Sequence, residues 1–105
     1  SDQERAREVV QQFVDARNDD DAAAECDLYS DDYLAELAVA DCTAFIEEQN
    51  SAVDGEERNE IVDVEVNDDR GTANVDVIRE AEGGPTRIGV LLAEEDGDWR
   101  IAGFQ

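Results

Sequence analysis

The chain has 105 residues, with 30 Asp and Glu set against 8 basic residues, all of them Arg, for a formal net charge of −22. That balance excludes the basic footprint of a nucleic-acid binder and repels anionic membrane surfaces. There is no His, no phosphate-binding loop and no nucleophile motif, and no stretch approaches the ~20 apolar residues of a membrane span.

The length fits one domain, residues 1–105, with a modest core. The acids are spread along the chain, as on a solvated surface suited to high salt, where screening relieves self-repulsion; a cationic partner is the sharper alternative. No signal peptide is visible and Met is absent, as in a mature or trimmed chain.

A helical half, about 2–52, comes first. Ser1 and Glu4 have the spacing of a capping box, and Ala6, Val9, Val10, Phe13, Val14 and Arg17 follow at helical spacing to about Asn18. Asp19-Asp20-Asp21 lacks the alternation, Gly and terminal Glu of a calcium loop, and reads as a turn that caps the next helix. That helix, Ala22 to about Tyr29, sets Ala22, Cys26 and Tyr29 on one face. Ser30 or Asp31 caps a short segment, Asp32 to Leu37, and a fourth begins near Asp41 with Cys42, Phe45, Ile46 and Gln49 on one stripe. The stretch 50–57 ends this half.

Cys26 and Cys42 suggest one disulfide and an oxidising compartment, the alternative being two buried thiols. No CxxC pair is present, which argues against redox catalysis and zinc.

From about residue 59 to 105 the period switches from 3.6 to 2. Strands are expected at Asn59–Asn67, Thr72–Ala81, Thr86–Glu94 and Asp98–Gln105, joined by the short turns Asp68-Asp69-Arg70-Gly71, Glu82-Gly83-Gly84-Pro85 and Glu95-Asp96-Gly97. Short turns imply an antiparallel meander. Symmetric pairing about each turn aligns Val62, Val77, Val90 and Gly103 in one inward row. The next rows are Val64, Val75, Leu92 and Ile101, then Val66, Ala73, Glu94 and Trp99. The opposite face carries Asp63, Glu65, Asn74, Asp76 and Arg100.

The helix opening EVVQQFVDARNDDD, the strand pair IVDVEVNDDRGTANVDV and the close EDGDWRIAGF resemble the NTF2-like (SnoaL-like, cystatin-like cone) superfamily, in particular its small extracytoplasmic and lipoprotein members. The resemblance implies an α+β fold in which N-terminal helices pack on the concave face of a curved four-stranded antiparallel meander. It also implies a pocket and dimerisation through the sheet. Because that superfamily holds isomerases, dehydratases, hydrolases and non-enzymes, function must be argued from the site.

The inward rows place Arg79 at the end of the apolar face with Glu60 opposite. The pair is either a rim salt bridge or, through Arg79, an anchor for the anionic group of a small ligand. Trp99, at the other end, is a core lid or a stacking surface for a ligand. Tyr29, Tyr33, Asp31 and Asp32, near a helix junction, are the weak candidates for acid–base work and otherwise core-edge rings and caps. On the outer face Ile61, Ile78, Leu91, Ala102 and Phe104 form an apolar stripe that would suit a homodimer seam or a partner contact. The leading expectation is a non-catalytic module, outside the cytoplasm, that binds a small apolar ligand or assembles through its sheet. A small isomerase or dehydratase, and a spacer domain of a lipoprotein or membrane protein, are the alternatives. No cofactor or metal is implied.

Overall fold

In a computed structural model, which describes residues 1–51 and 57–105, four helices precede four strands. They are α1 (Asp2–Asn18), α2 (Ala22–Cys26), α3 (Asp31–Leu37), α4 (Cys42–Ser51), β1 (Arg58–Asn67), β2 (Thr72–Ala81), β3 (Gly84–Glu95) and β4 (Asp98–Phe104). The strands form one antiparallel sheet in the order β1-β2-β3-β4, so the fold is α+β with a four-stranded meander. Most of the stretch expected to close the helical half lies outside the described residues.

Each helix starts where a short polar side chain takes up an orphan N–H. Ser1 Oγ accepts from Glu4 at 3.3 Å, Asp21 from Ala24 at 3.1 Å, Ser30 from Tyr33 at 3.0 Å and Asp41 from Ala44 at 3.2 Å. Such a cap contributes about 1 kcal/mol, which matters for helices as short as these. The α2 helix stops at Cys26 rather than running to Tyr29, because the chain turns out to cover the free edge of β4. Ile101 N–H donates to Leu28 C=O and Ser30 N–H to Ile101 C=O, both at 2.8 Å. At Ile101 the edge is thereby closed to further strand pairing.

The core lies between α1 and one face of the sheet. Ala6, Val10, Phe13 and Val14, at helical spacing, are buried together with Ala73, Val75, Val77, Val90, Leu92, Trp99 and Ile101 from alternate strand positions. Each large aliphatic or aromatic side chain there contributes about 1.5–3 kcal/mol.

The pairs next to the first and third turns are as expected, Val64 with Val75 and Leu92 with Ile101, but both hairpins slip by one residue farther out. In β1 the irregularity falls at Val62, so Ile61 pairs with Val77 and is buried, while Val62 is 46% exposed. In β4 it falls at Ala102, so Phe104 rather than Gly103 sits opposite Val90. An extra residue reverses which side chains face inward beyond it. The middle hairpin differs by two residues: Ala81 pairs with Gly84 across the two-residue turn Glu82-Gly83, and Val75 meets Val90. A two-residue shift keeps parity, so the same side chains stay inside. The last turn is Asp96-Gly97 with both φ angles positive (55° and 87°), the form that suits a two-residue hairpin and favours Gly.

Candidate functional site

Between the helices and the inner face of the sheet lies a cavity of about 300 Å³. Five rings line it, those of Phe13, Tyr29, Tyr33, Phe45 and Phe104, with aliphatic walls from Leu37, Ile46 and Ile88. The irregularity at Ala102 brings Phe104 into this group. Its ring centroid lies 5.5 Å from Phe13, 5.8 Å from Tyr33 and 6.3 Å from Tyr29, within the range of favourable aromatic pairing.

One end of the cavity is charged. Glu25, only 2% exposed, would be costly alone, since a buried carboxylate needs a countercharge and hydrogen bonds. It has both: Tyr29 Oη–H donates to it, and Arg17 Nη1 lies 3.5 Å away. Arg17 in turn donates to Glu57 at 2.7 Å and to Asn50 at 3.0 Å. Glu57 also sits against Arg79 Nε. That nitrogen has one hydrogen and gives it to Asn59 Oδ1 at 3.1 Å, which leaves Glu57 Oε1 ion-paired but without a hydrogen bond among the described residues. Asn59 is oriented by Asn18, whose side-chain oxygen accepts its backbone N–H at 3.2 Å. Among the described residues two guanidinium groups thus balance two carboxylates.

These surroundings move the titrating groups in definite directions. Burial, then the Glu25 charge, push the Tyr29 phenol far above the ordinary tyrosine range, and burial and Glu25 also raise Tyr33. Burial disfavours the charge on Arg17, but Glu25 and Glu57 outweigh it and hold the guanidinium more firmly protonated. For Arg79 burial prevails over the attraction of Glu57, with Arg17 adding repulsion, and its pKa falls.

A pH dependence follows for Tyr29. Its folded pKa exceeds the unfolded value of about 10, so the stabilisation is complete below that pH and is lost progressively as pH rises towards the folded value. Above pH ~10 stability should fall by about 1.4 kcal/mol per pH unit from this group. Tyr29→Phe should flatten that limb in urea titrations. Phenolate absorbance with a midpoint near pH 10 from both tyrosines, in a protein still folded, would contradict it.

Of the residues singled out by sequence as ligand-binding or acid–base candidates, Tyr29, Tyr33 and Arg79 meet in this cavity, and Phe104 joins them from the stripe expected outside. Asp31 and Asp32 are exposed in the first turn of α3, and the Asp31 N–H donates to the Glu95 carboxylate at 3.3 Å. Glu60, expected opposite Arg79, faces the other side of the sheet because of the irregularity at Val62, and Asn59 takes its place. Trp99 is buried at the far end of the sheet, between α1 and Leu28, and does not line the cavity. Ile61 and Phe104, expected on the outer face, belong to the core and its margin. Ile78, Leu91 and Ala102 remain half-buried outside, divided by Asp76, which pairs with Arg87 at 2.6 Å and accepts from Asn74 at 2.8 Å. Gly89 is covered by Gln105 and Asn74, each 3.0 Å from where a Cβ would stand. Cys26 and Cys42 form the disulfide, with Cα atoms 6.1 Å apart, and it joins α2 to α4 beside the cavity.

Arg17, Glu25, Glu57 and Asn59 were not anticipated as site residues. Arg17 was nevertheless visible as a cation continuing the apolar stripe of α1, and Glu25 precedes Tyr29 by one helical turn. A larger depression of about 850 Å³ near the β1–β2 turn carries the exposed carboxylates Glu65, Asp68 and Asp69 and none of the aromatic rings, so it encloses a ligand poorly. Among the described residues no group of three or more His, Cys, Asp or Glu is placed to hold a metal ion, and no helix is long and apolar enough to cross a membrane. In comparisons with protein-family models and with curated proteins the chain finds no match.

Proposed function

We propose that the chain is a non-catalytic binding module of the NTF2-like type, which takes a small, largely apolar ligand into the cavity between its helices and its sheet. The observation that carries this reading is the five-ring lining around about 300 Å³. A dry cavity of ~150 Å³ holds benzene, so this volume suits a bicyclic ring, at the small end of ligand pockets. Catalysis is less well supported, because a general base must be free to exchange a proton at the substrate. Here the buried carboxylates of Glu25 and Glu57 are ion-paired with arginine, and the Tyr29 proton is committed to Glu25. Assembly through the outer face has less to rest on, with Ile61 and Phe104 inside and the Asp76–Arg87 pair dividing the remainder. The disulfide favours an oxidising, extracytoplasmic setting.

The test is a titration with indole, a neutral bicycle, followed by amide chemical shifts. Binding with a Kd of order 1 mM or tighter is expected, with shifts at Tyr29, Tyr33, Phe45 and Phe104 and none at Trp99. Shifts centred on Trp99, or no shifts at all, would remove the reading.

A further inference from the structure

The depression of about 850 Å³ near the β1–β2 turn opens on the outer face of the sheet, away from the core that α1 shares with the inward side chains. We infer that this face is a docking surface for a basic protein segment in extended form, in which Lys or Arg alternates with small or aliphatic residues.

The strand pairing builds three parallel lanes here. Glu65, Asn74 and Leu91 stand in one row across β1, β2 and β3, and Asn67, Thr72 and Ala93 in the next. Asp63 shares the outward side of β1 with Glu65. The β1 lane is therefore acidic and the β3 lane apolar, while the short polar side chains of Thr72 and Asn74 floor the β2 lane between them. The outer lanes lie roughly 10 Å apart, and like-facing residues along each repeat every ~7 Å. An extended chain lying along β2 sends alternate side chains to opposite sides at that same repeat. Its cations then meet Asp63 and Glu65, both exposed, and its apolar residues meet Leu91 and Ala93, both half-buried.

Charge fixes the chemistry of the partner. No ion pair between described residues involves Asp63, Glu65, Asp68 or Asp69, and Arg70 in the adjoining turn offsets only one of the four. The other arginines of this face are engaged, Arg87 with Asp76 and Arg100 with the Asp27 carbonyl, each at 2.6 Å. The crowding of acids is felt at the turn, where a hydrogen bond shared with Asp2, and the charges of Asp2, Asp69 and Glu94, hold the Asp68 carboxyl above its ordinary pKa. A second copy would bring its own charge of −22 against these acids and be repelled. Carboxylates repeating at ~7 Å do not converge on one metal ion, and no group of three or more His, Cys, Asp or Glu among the described residues is placed to hold one. A basic segment is instead drawn in by the same field and held in register by the lanes. Glu65 stands roughly 25 Å along the strand direction from Glu57, so docking here is independent of the cavity and its charged end.

Two end-blocked pentapeptides of one composition and charge, Lys-Leu-Lys-Ala-Lys and Lys-Lys-Lys-Leu-Ala, test the inference on the intact, disulfide-bonded protein at about 0.15 M salt. The alternating peptide should bind about ten-fold tighter than the reordered one, as two exposed ion pairs and an apolar contact in register allow. Amide shifts should centre on Glu65, Asn74, Leu91 and Ala93. Asp63→Asn with Glu65→Gln should remove the preference, whereas Glu47→Gln with Glu48→Gln, the same change of charge on α4, should leave it. Leu91→Ser should narrow the preference without weakening the reordered peptide. Should that variant fail to fold, the β1 pair still decides, because it relieves the like charges of Asp63 and Asp76 standing opposite each other. Equal affinities for the two peptides, or shifts spread over the helical acids, would overturn the inference in favour of the general field of the chain. Shifts centred on Tyr33 and Phe104, or binding by neither peptide, would overturn it as well. Indole binding is read separately, so the cavity and this surface can each fail without the other.

Discussion

Arg17→Met should destabilise the fold by about 3–5 kcal/mol, the usual cost of removing one partner from a buried ion-pair network. The side chain is 10% exposed, and its partners Glu25 and Glu57 are 2% and 12% exposed. Met keeps the volume of the aliphatic stem, so the loss reports charge rather than packing. Without the guanidinium, among the described residues Glu25 retains only the Tyr29 hydrogen bond, and Glu57 retains only Arg79. Arg17→Met combined with Glu25→Gln should recover part of the loss by removing the stranded charge. Urea unfolding at one fixed, moderate salt concentration is the measurement, because self-repulsion in a chain of this net charge otherwise varies with ionic strength. A deficit below about 1 kcal/mol would mean that the network behaves as a surface cluster.

This network also marks where the sequence stops being informative. Helix starts and strand bounds were legible because they depend on neighbours: Ser1, Asp21 and Ser30 each serve the N–H three residues on, and Asp96-Gly97 sets its own hairpin. The one-residue slips at Val62 and Ala102 were not. Ile61 and Val62 are adjacent β-branched residues, either of which satisfies an inward position, so alternation alone cannot say which is extra. The same holds for Ala102-Gly103-Phe104, where the small residues leave the side-chain pattern silent until Phe104 finds Phe13, Tyr29 and Tyr33. Those two slips decide the site, since one replaces Glu60 by Asn59 beside Arg79 and the other carries Phe104 into the cavity. Glu25 and Glu57 read as surface acids in a chain with 30 of them. Only the fold, by placing α2 and the start of β1 against Arg17, shows that these two are inside.

Replacing Cys26 and Cys42 together by Ala should cost about 3 kcal/mol, the chain-entropy value for a bridge across 16 residues. The loss should fall unevenly. Ile46 is the buried residue of α4, the helix packs mainly against α2, and Arg17 holds its C-terminal end through Asn50. With the bridge gone, α4 is held by those contacts and by Phe45 at the margin of the core, whereas β2 and β3 remain fixed by paired neighbours and the core. Hydrogen exchange should therefore show protection lost first over Cys42–Ser51 while amides of Val75, Val77, Val90 and Leu92 stay slow. Because α4 supplies Phe45, Ile46 and Gln49 to the cavity wall, indole binding should weaken before the sheet unfolds. Treating the unaltered protein with a dithiol, which takes up the bridge as its own disulfide and leaves two thiols, should reproduce that order. If exchange instead accelerates equally in α4 and in the central strands, the bridge staples the whole domain rather than one wall of the cavity. Ligand binding and global stability would then be lost together.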